Sequence, residues 1–177
     1  MHEIKACIGL GNPGSKFTRT RHNIGFLVLD ALAQAYNATW QAKDEMLATT
    51  ITIDERPIFL VKPQTFMNSS GRVIGWLQRK GIKPEEILVV HDELEKPFGT
   101  TAITFGGSAR GHNGLRSIIE HMGKDFYRLR CGIGRPERKE DVGTWVLTNF
   151  DEPAEQLQAM IDDAVKLIVD RIQNPGM

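Results

Sequence analysis

The chain has 177 residues and balances 22 basic against 22 acidic side chains, so its formal charge of zero argues against a polyanion binder held by bulk charge. Its 41% hydrophobic and 25% charged content is that of an ordinary globular protein and excludes a disordered or collagen-like chain. Cys7 and Cys131 sit inside apolar, strand-like runs and read as buried reduced thiols; no uncharged run approaches the roughly 18 residues of a membrane span. The start, Met-His-Glu-Ile-Lys-Ala-Cys-Ile, lacks the pattern of a signal peptide, so a cytoplasmic protein is expected.

In chain order, Ile4 to Leu10 reads as a buried first strand, and Asn23 to Tyr36 as a helix with Phe26, Leu29, Leu32 and Ala33 on a mostly apolar face. Leu47 to Ile53 and Pro57 to Val61 flank the polar turn Asp54-Glu55-Arg56 and predict an antiparallel hairpin. After Ser69-Ser70-Gly71, the spacing of Val73, Ile74 and Leu77 predicts a helix that runs to Lys80 and stops at Gly81. Ile87 to Val90 is a continuous apolar run that delivers His91 and Asp92 at its end, as a central strand does. Thr100 to Phe105 and Tyr127 to Ile133 read as further strands, separated by a helix from Asn113 to Met122. Glu155 to Ile172 makes a closing amphipathic helix. With no linker, repeat or low-complexity segment, the expectation is one α/β domain over 1–177, a twisted mixed β-sheet flanked by helices.

Gly9-Leu10-Gly11-Asn12-Pro13-Gly14 matches the dinucleotide fingerprint G-x-G-x-x-G literally, but the context fails. A strong Asn-Pro-Gly turn and polar Ser15 to His22 intervene before helical periodicity begins, and no acidic residue closes a second strand. Four loops instead gather polar residues, three of them beside glycines: 11–23, 62–71, 91–94 and 106–114. Singly, each has an ordinary reading: Asn12 completes a turn, Asn68 and Asn113 cap helices, His22 starts a helix, and Asp92 binds nearby amides. Jointly they fit a water-activating site. A histidine takes a proton near neutral pH, a carboxylate on its other nitrogen strengthens it, and carboxamide N–H groups stabilise an oxyanion. No HExxH spacing or G-x-S-x-G elbow offers a metal or serine route. His91, Asp92 and His112 form a conceivable ligand set, weakened because neighbours on a strand face opposite ways. No metal or other cofactor is expected.

The segments GLGNPG with TRHNIGF, KPQTFMNSSG, HDELEKPFG and GHNGLRSI, in this order, together with YRLRCGIGRP, resemble the bacterial peptidyl-tRNA hydrolase family over nearly the entire chain. The resemblance implies a phosphorylase/hydrolase-like fold, and a substrate, peptidyl-tRNA, bound through its acceptor stem and 3′ end by a monomer. It implies His22 as catalytic base, Asp92 as the carboxylate that orients it, and Asn12 as the residue that distinguishes blocked from free aminoacyl groups. Asn68 and Asn113 correspond to substrate-binding amides, and Phe66 to the aromatic neighbour of the acceptor end; a core position for Phe66 fits its spacing equally. Phe17 stands where the family commonly has tyrosine and is carried as a contact through ring packing. Arg110 stands where the family often has glycine. Between Thr100 and Glu140, cations outnumber acids, and Arg110, Arg116, Lys124 and Arg128 are the expected grip on RNA phosphates, although a solvated face accommodates the same charges.

Overall fold

The computed structural model describes residues 2–176. Seven strands form one sheet in the order β2-β3-β4-β1-β5-β7-β6. They are β1 (Ala6–Gly9), β2 (Gln41–Lys43), β3 (Met46–Ile53), β4 (Arg56–Pro63), β5 (Ile87–Glu93), β6 (Thr101–Phe105) and β7 (Tyr127–Gly132). The central β4, β1, β5 and β7 are mutually parallel, while β3 and β2 on one side and β6 on the other run antiparallel to their neighbours. The helices are α1 (Ile24–Ala35), α2 (Ile74–Arg79), α3 (Asn113–Met122), α4 (Val142–Val146) and α5 (Ala154–Gln173). This is the expected mixed sheet flanked by helices.

Both faces of the central strands are covered: every residue of β1 and β5 is buried, and β5 is apolar until its last three residues, His91, Asp92 and Glu93. One core lies between the sheet and α1 with α5, built on Leu29, Leu60, Leu88, Val90 and Ile168. The other lies against α2 and α3, built on Ile8, Val61, Val89, Leu77 and Ile118. Cys7 and Cys131 are buried and free, and desolvation pushes the Cys7 thiol up to about 12, so neither is a ready nucleophile.

The structure departs from the sequence reading in local detail. The hairpin turn has two residues, Asp54 and Glu55, both left-handed (φ 50° and 65°), and Arg56 already belongs to β4. The second helix is composite: a 3₁₀ stretch over Met67–Val73 leads into α2, with Lys80 as its cap and Gly81 left-handed beyond it. Strand β2 and helix α4 were not anticipated; each is too short to show a period. Among the described residues no helix is long and apolar enough to cross a membrane.

Candidate active site

The ends of β1, β4 and β5 and the N-terminus of α3 bring the polar loops together. Glycine sets the first approach. A Cβ on Gly25 would stand 2.4 Å from the Leu10 nitrogen and 2.5 Å from the Val90 carbonyl, so α1 rests directly on the backbone at the end of β1 and the middle of β5. That seat places His22, in the 3₁₀ turn Arg21–Asn23 just before α1, beside Asp92 near the end of β5. The intervening turns also settle the glycine motif: Gly14 precedes a 3₁₀ turn over Ser15–Phe17, and no helix opens there to hold a pyrophosphate.

His22 Nδ1 lies 3.0 Å from both oxygens of Asp92, and both residues are buried. Burial by itself lowers the His22 pKa, but the charge and hydrogen bond of Asp92 outweigh it and the net shift is upward. Burial likewise opposes ionisation of Asp92, yet His22 and His112 hold its carboxyl well below the usual range. With Nδ1–H donated to the carboxylate, His22 keeps its Nε2 lone pair for the cleft.

His112 was not among the residues expected to act in the site. It caps α3, where Asn113 was considered: its Nδ1 accepts the N–H groups of Gly114 (3.1 Å) and Leu115 (3.2 Å). Because Nδ1 accepts, the proton sits on Nε2, which donates to Asp92 Oδ1 at 2.8 Å. Asp92 therefore receives two imidazole N–H groups. His22, Asp92 and His112 bring potential ligand atoms within 4.8 Å of one another. Both nitrogens that face the carboxylate carry protons, however, and a metal on His112 Nε2 would have to displace the cap of α3.

His91 and Asp92 do face opposite ways. Ile87 and Val89 pack in the core of α3, Leu88 and Val90 in that of α1, and His91 continues the first series. His91 donates from Nδ1 to the Asp92 carbonyl, its ring meets His112 edge-on at 5.3 Å, and its buried Nε2 has no partner. Burial and then the neighbouring His112 bring its pKa down to about 4, so it is neutral at physiological pH.

Asn12 is buried and ties two loops: its Oδ1 accepts the Met67 N–H at 2.7 Å, leaving Nδ2 as a donor. Asn23, also missed by the sequence reading, clamps the Asn12 backbone, accepting its N–H and donating to its carbonyl, each at 2.9 Å. Asn68 is exposed beside Phe66, which is 64% exposed and so not a core residue. Asn113 is exposed, and its Oδ1 accepts from Arg116. Phe17 is half-buried with Lys16 over its ring. A cleft of about 390 Å³ joins His22, Asp92, His112 and Asn113 to Arg110, Thr104, Phe105 and Val142.

Of the four expected RNA-binding cations, Arg110, Arg116 and Lys124 are exposed. Arg110 has φ 49°, a left-handed position that glycine fits without strain. Arg128 requires correction. It is 4% exposed and donates to the carbonyls of Ser108 (2.8 Å) and Gly107 (2.5 Å), so it braces the loop before α3 and is not free to hold a phosphate. Arg21 is a further buried guanidinium: it stacks 3.6 Å from the Trp145 ring, donates to the carbonyls of Trp145 and Thr148, and pairs with Asp151, holding α4 and the segment after it beside His22.

The sequence model of the peptidyl-tRNA hydrolase family matches residues 6–175. A peptidyl-tRNA hydrolase from Rhodospirillum centenum is 42% identical over 165 residues, covering 92% of this chain and 73% of that one. The crystal structure of the peptidyl-tRNA hydrolase from Acinetobacter baumannii superposes with a TM-score of 0.88 at 37% identity, covering 98% and 90% of the two chains. A purine nucleoside phosphorylase from Toxoplasma gondii, at TM-score 0.61 and 12% identity over 97% of this chain and 91% of its own, shares the fold alone. Matched over almost its whole length by sequence and by structure, the chain belongs to the peptidyl-tRNA hydrolase family.

Proposed function

We propose that this chain, acting as one domain over 1–177 and as a cytoplasmic monomer, hydrolyses the ester between the peptide and the 3′ ribose of peptidyl-tRNA, with His22 as the general base. The observation that carries the catalytic assignment is the His22–Asp92 pair: one imidazole nitrogen committed to a buried carboxylate and the other free toward the cleft. His22 Nε2 takes a proton from water as the oxygen attacks the ester carbonyl. Amide N–H groups of Asn12, Asn68 and Asn113 bind the substrate and stabilise the tetrahedral oxyanion. Collapse expels the ribose 3′ oxygen, which recovers the proton from His22, and peptide and tRNA leave separately. None of these steps calls on a cofactor.

Discrimination follows from the commitment of Asn12 Oδ1 to Met67, which leaves only a donor for the substrate. A peptide carbonyl accepts from that NH₂ group, whereas the α-ammonium of a free aminoacyl ester, itself a donor, gains nothing there. Phe66 and Phe17 pack against the acceptor end, and Arg110, Arg116 and Lys124 attract the phosphates of its stem.

The test is turnover on N-blocked and free aminoacyl-tRNA by the wild type and His22→Ala. The wild type cleaves the blocked substrate preferentially, and His22→Ala loses at least about 10²-fold in kcat while its fold and tRNA affinity persist. Near-normal kcat in the variant removes His22 from the mechanism. Binding of tRNA without any hydrolysis by the wild type would make the protein an RNA-binding relative instead.

A further inference from the structure

The two edges of the sheet are finished differently. Strand β2 is three exposed residues with Lys43 among them, a short charged edge of the kind that discourages pairing. Strand β6 at the other edge reads Thr-Ala-Ile-Thr-Phe, four of its five residues β-favouring and none charged or proline. Its register shows which backbone groups are free. Gly132 N–H donates to Thr100 and Gly106 N–H to Phe126, so even-numbered residues of β6 bond to β7. Thr101, Ile103 and Phe105 therefore turn their N–H and C=O groups outward. No hydrogen bond among the described residues engages those groups.

This edge continues the candidate active site. Thr104 and Phe105 line the cleft that holds His22, Asp92 and His112, and they also line a second cavity of about 550 Å³ with Ile103, Tyr127, Leu167, Asp170, Arg171 and Asn174. The two cavities lie on either side of the edge, because Thr104 shares a face with Arg128 while Ile103 packs in the core of α5. An eighth strand on β6 would send alternate side chains into the two cavities.

We propose that the free edge of β6 receives the peptide part of the substrate as an added strand, held through its main chain. The proposal rests on the cleft being the place where the ester is cleaved. The edge itself carries no charged side chain, and main-chain hydrogen bonds suit an enzyme whose substrates differ in peptide sequence. Three interstrand spacings, about 14 Å in all, separate β5 from the added strand, a span of about four extended residues. Residues nearest the ester therefore cross the cleft, and those beyond about the fourth pair with β6.

Steady-state kinetics with N-acetylated dipeptidyl- and octapeptidyl-tRNA tests this. We expect a KM roughly tenfold lower for the octapeptide, the effect of one or two net hydrogen bonds. N-methylation of single amides beyond the fourth residue raises KM at alternate positions only, a readout that leaves the enzyme's fold untouched. Ile103→Pro, which removes an outward N–H from an edge position where proline is tolerated, reduces the preference for the octapeptide over the dipeptide. A KM independent of peptide length, or an N-methyl scan without alternation, overturns the proposal. So does Ile103→Pro weakening the binding of deacylated tRNA, which would assign the edge to RNA. Turnover of the dipeptidyl substrate reports separately on the hydrolase reading, and its absence removes both.

Discussion

Asp92 serves two imidazoles, and this governs how the site responds to pH. His22 is an effective base only when neutral, and Asp92 raises its pKa above the ordinary 6.5, so kcat/KM falls as the pH drops through that raised value. Asp92→Asn removes the charge that raises it, so the acid limb moves to lower pH; the wrong tautomer on His22 lowers the plateau by about 10²–10⁴. His112→Asn acts oppositely. Asparagine still caps α3 but no longer donates to Asp92, so the carboxylate pulls harder on His22 and the limb moves to higher pH. A pH profile of kcat/KM for the two variants checks both directions, and an unmoved limb in His112→Asn would mean that His112 only caps the helix. His22 was legible because it stands at a helix start in a loop with Asn12 and glycines, and Asp92 because it ends a continuous apolar run; the resemblance then supplied their roles. His112 was not: its part depends on a tautomer fixed by two backbone N–H groups and on a contact with a residue 20 positions away, neither of which local spacing encodes. Asn23 escaped for the same reason, since it grips backbone 11 residues earlier.

At the scale of elements, apolar periodicity located α1, α3 and α5 and the central strands, because burial on one or both faces leaves a repeating pattern. Pieces held by tertiary contact alone leave none. The 3₁₀ stretch over Met67–Val73 packs along α3, where a Cβ on Gly71 would stand 2.3 Å from the Ser117 carbonyl, so its shape comes from a partner 46 residues distant. Arg128 shows the converse error. An arginine in a strand of alternating character reads as a solvent-facing cation, and only the loop folded over it shows that its charge is spent on carbonyls. Arg128→Ala removes a buried guanidinium together with its bonds to two loop carbonyls and should cost about 2–4 kcal/mol, or roughly 4–16 °C in Tm. Thermal unfolding measures this loss, and a Tm unchanged within 1 or 2 °C would return Arg128 to the list of free surface cations.

Across the whole molecule, a net charge of zero coexists with a polyanionic substrate, so attraction has to be local. Arg110 lies in the loop before α3, Arg116 on that helix and Lys124 beyond its end, all exposed, while the C-terminal helix carries Glu155, Asp162, Asp163 and Asp170. Each phosphate neutralised by a cation releases condensed counterions, which makes affinity fall with salt by a slope close to the number of contacts. These three exposed cations contribute about 2–3 to the slope of log Kd against log salt for tRNA, compared with about 6–10 for a protein that coats a duplex. Charge removal at Arg110, Arg116 or Lys124 lowers that slope by about 0.7–0.9 each, whereas Arg128→Ala leaves it unchanged despite the lost stability. Binding titrations of deacylated tRNA at several salt concentrations separate the two kinds of arginine, and a flat profile in the wild type would remove Arg110, Arg116 and Lys124 as the RNA-binding cations.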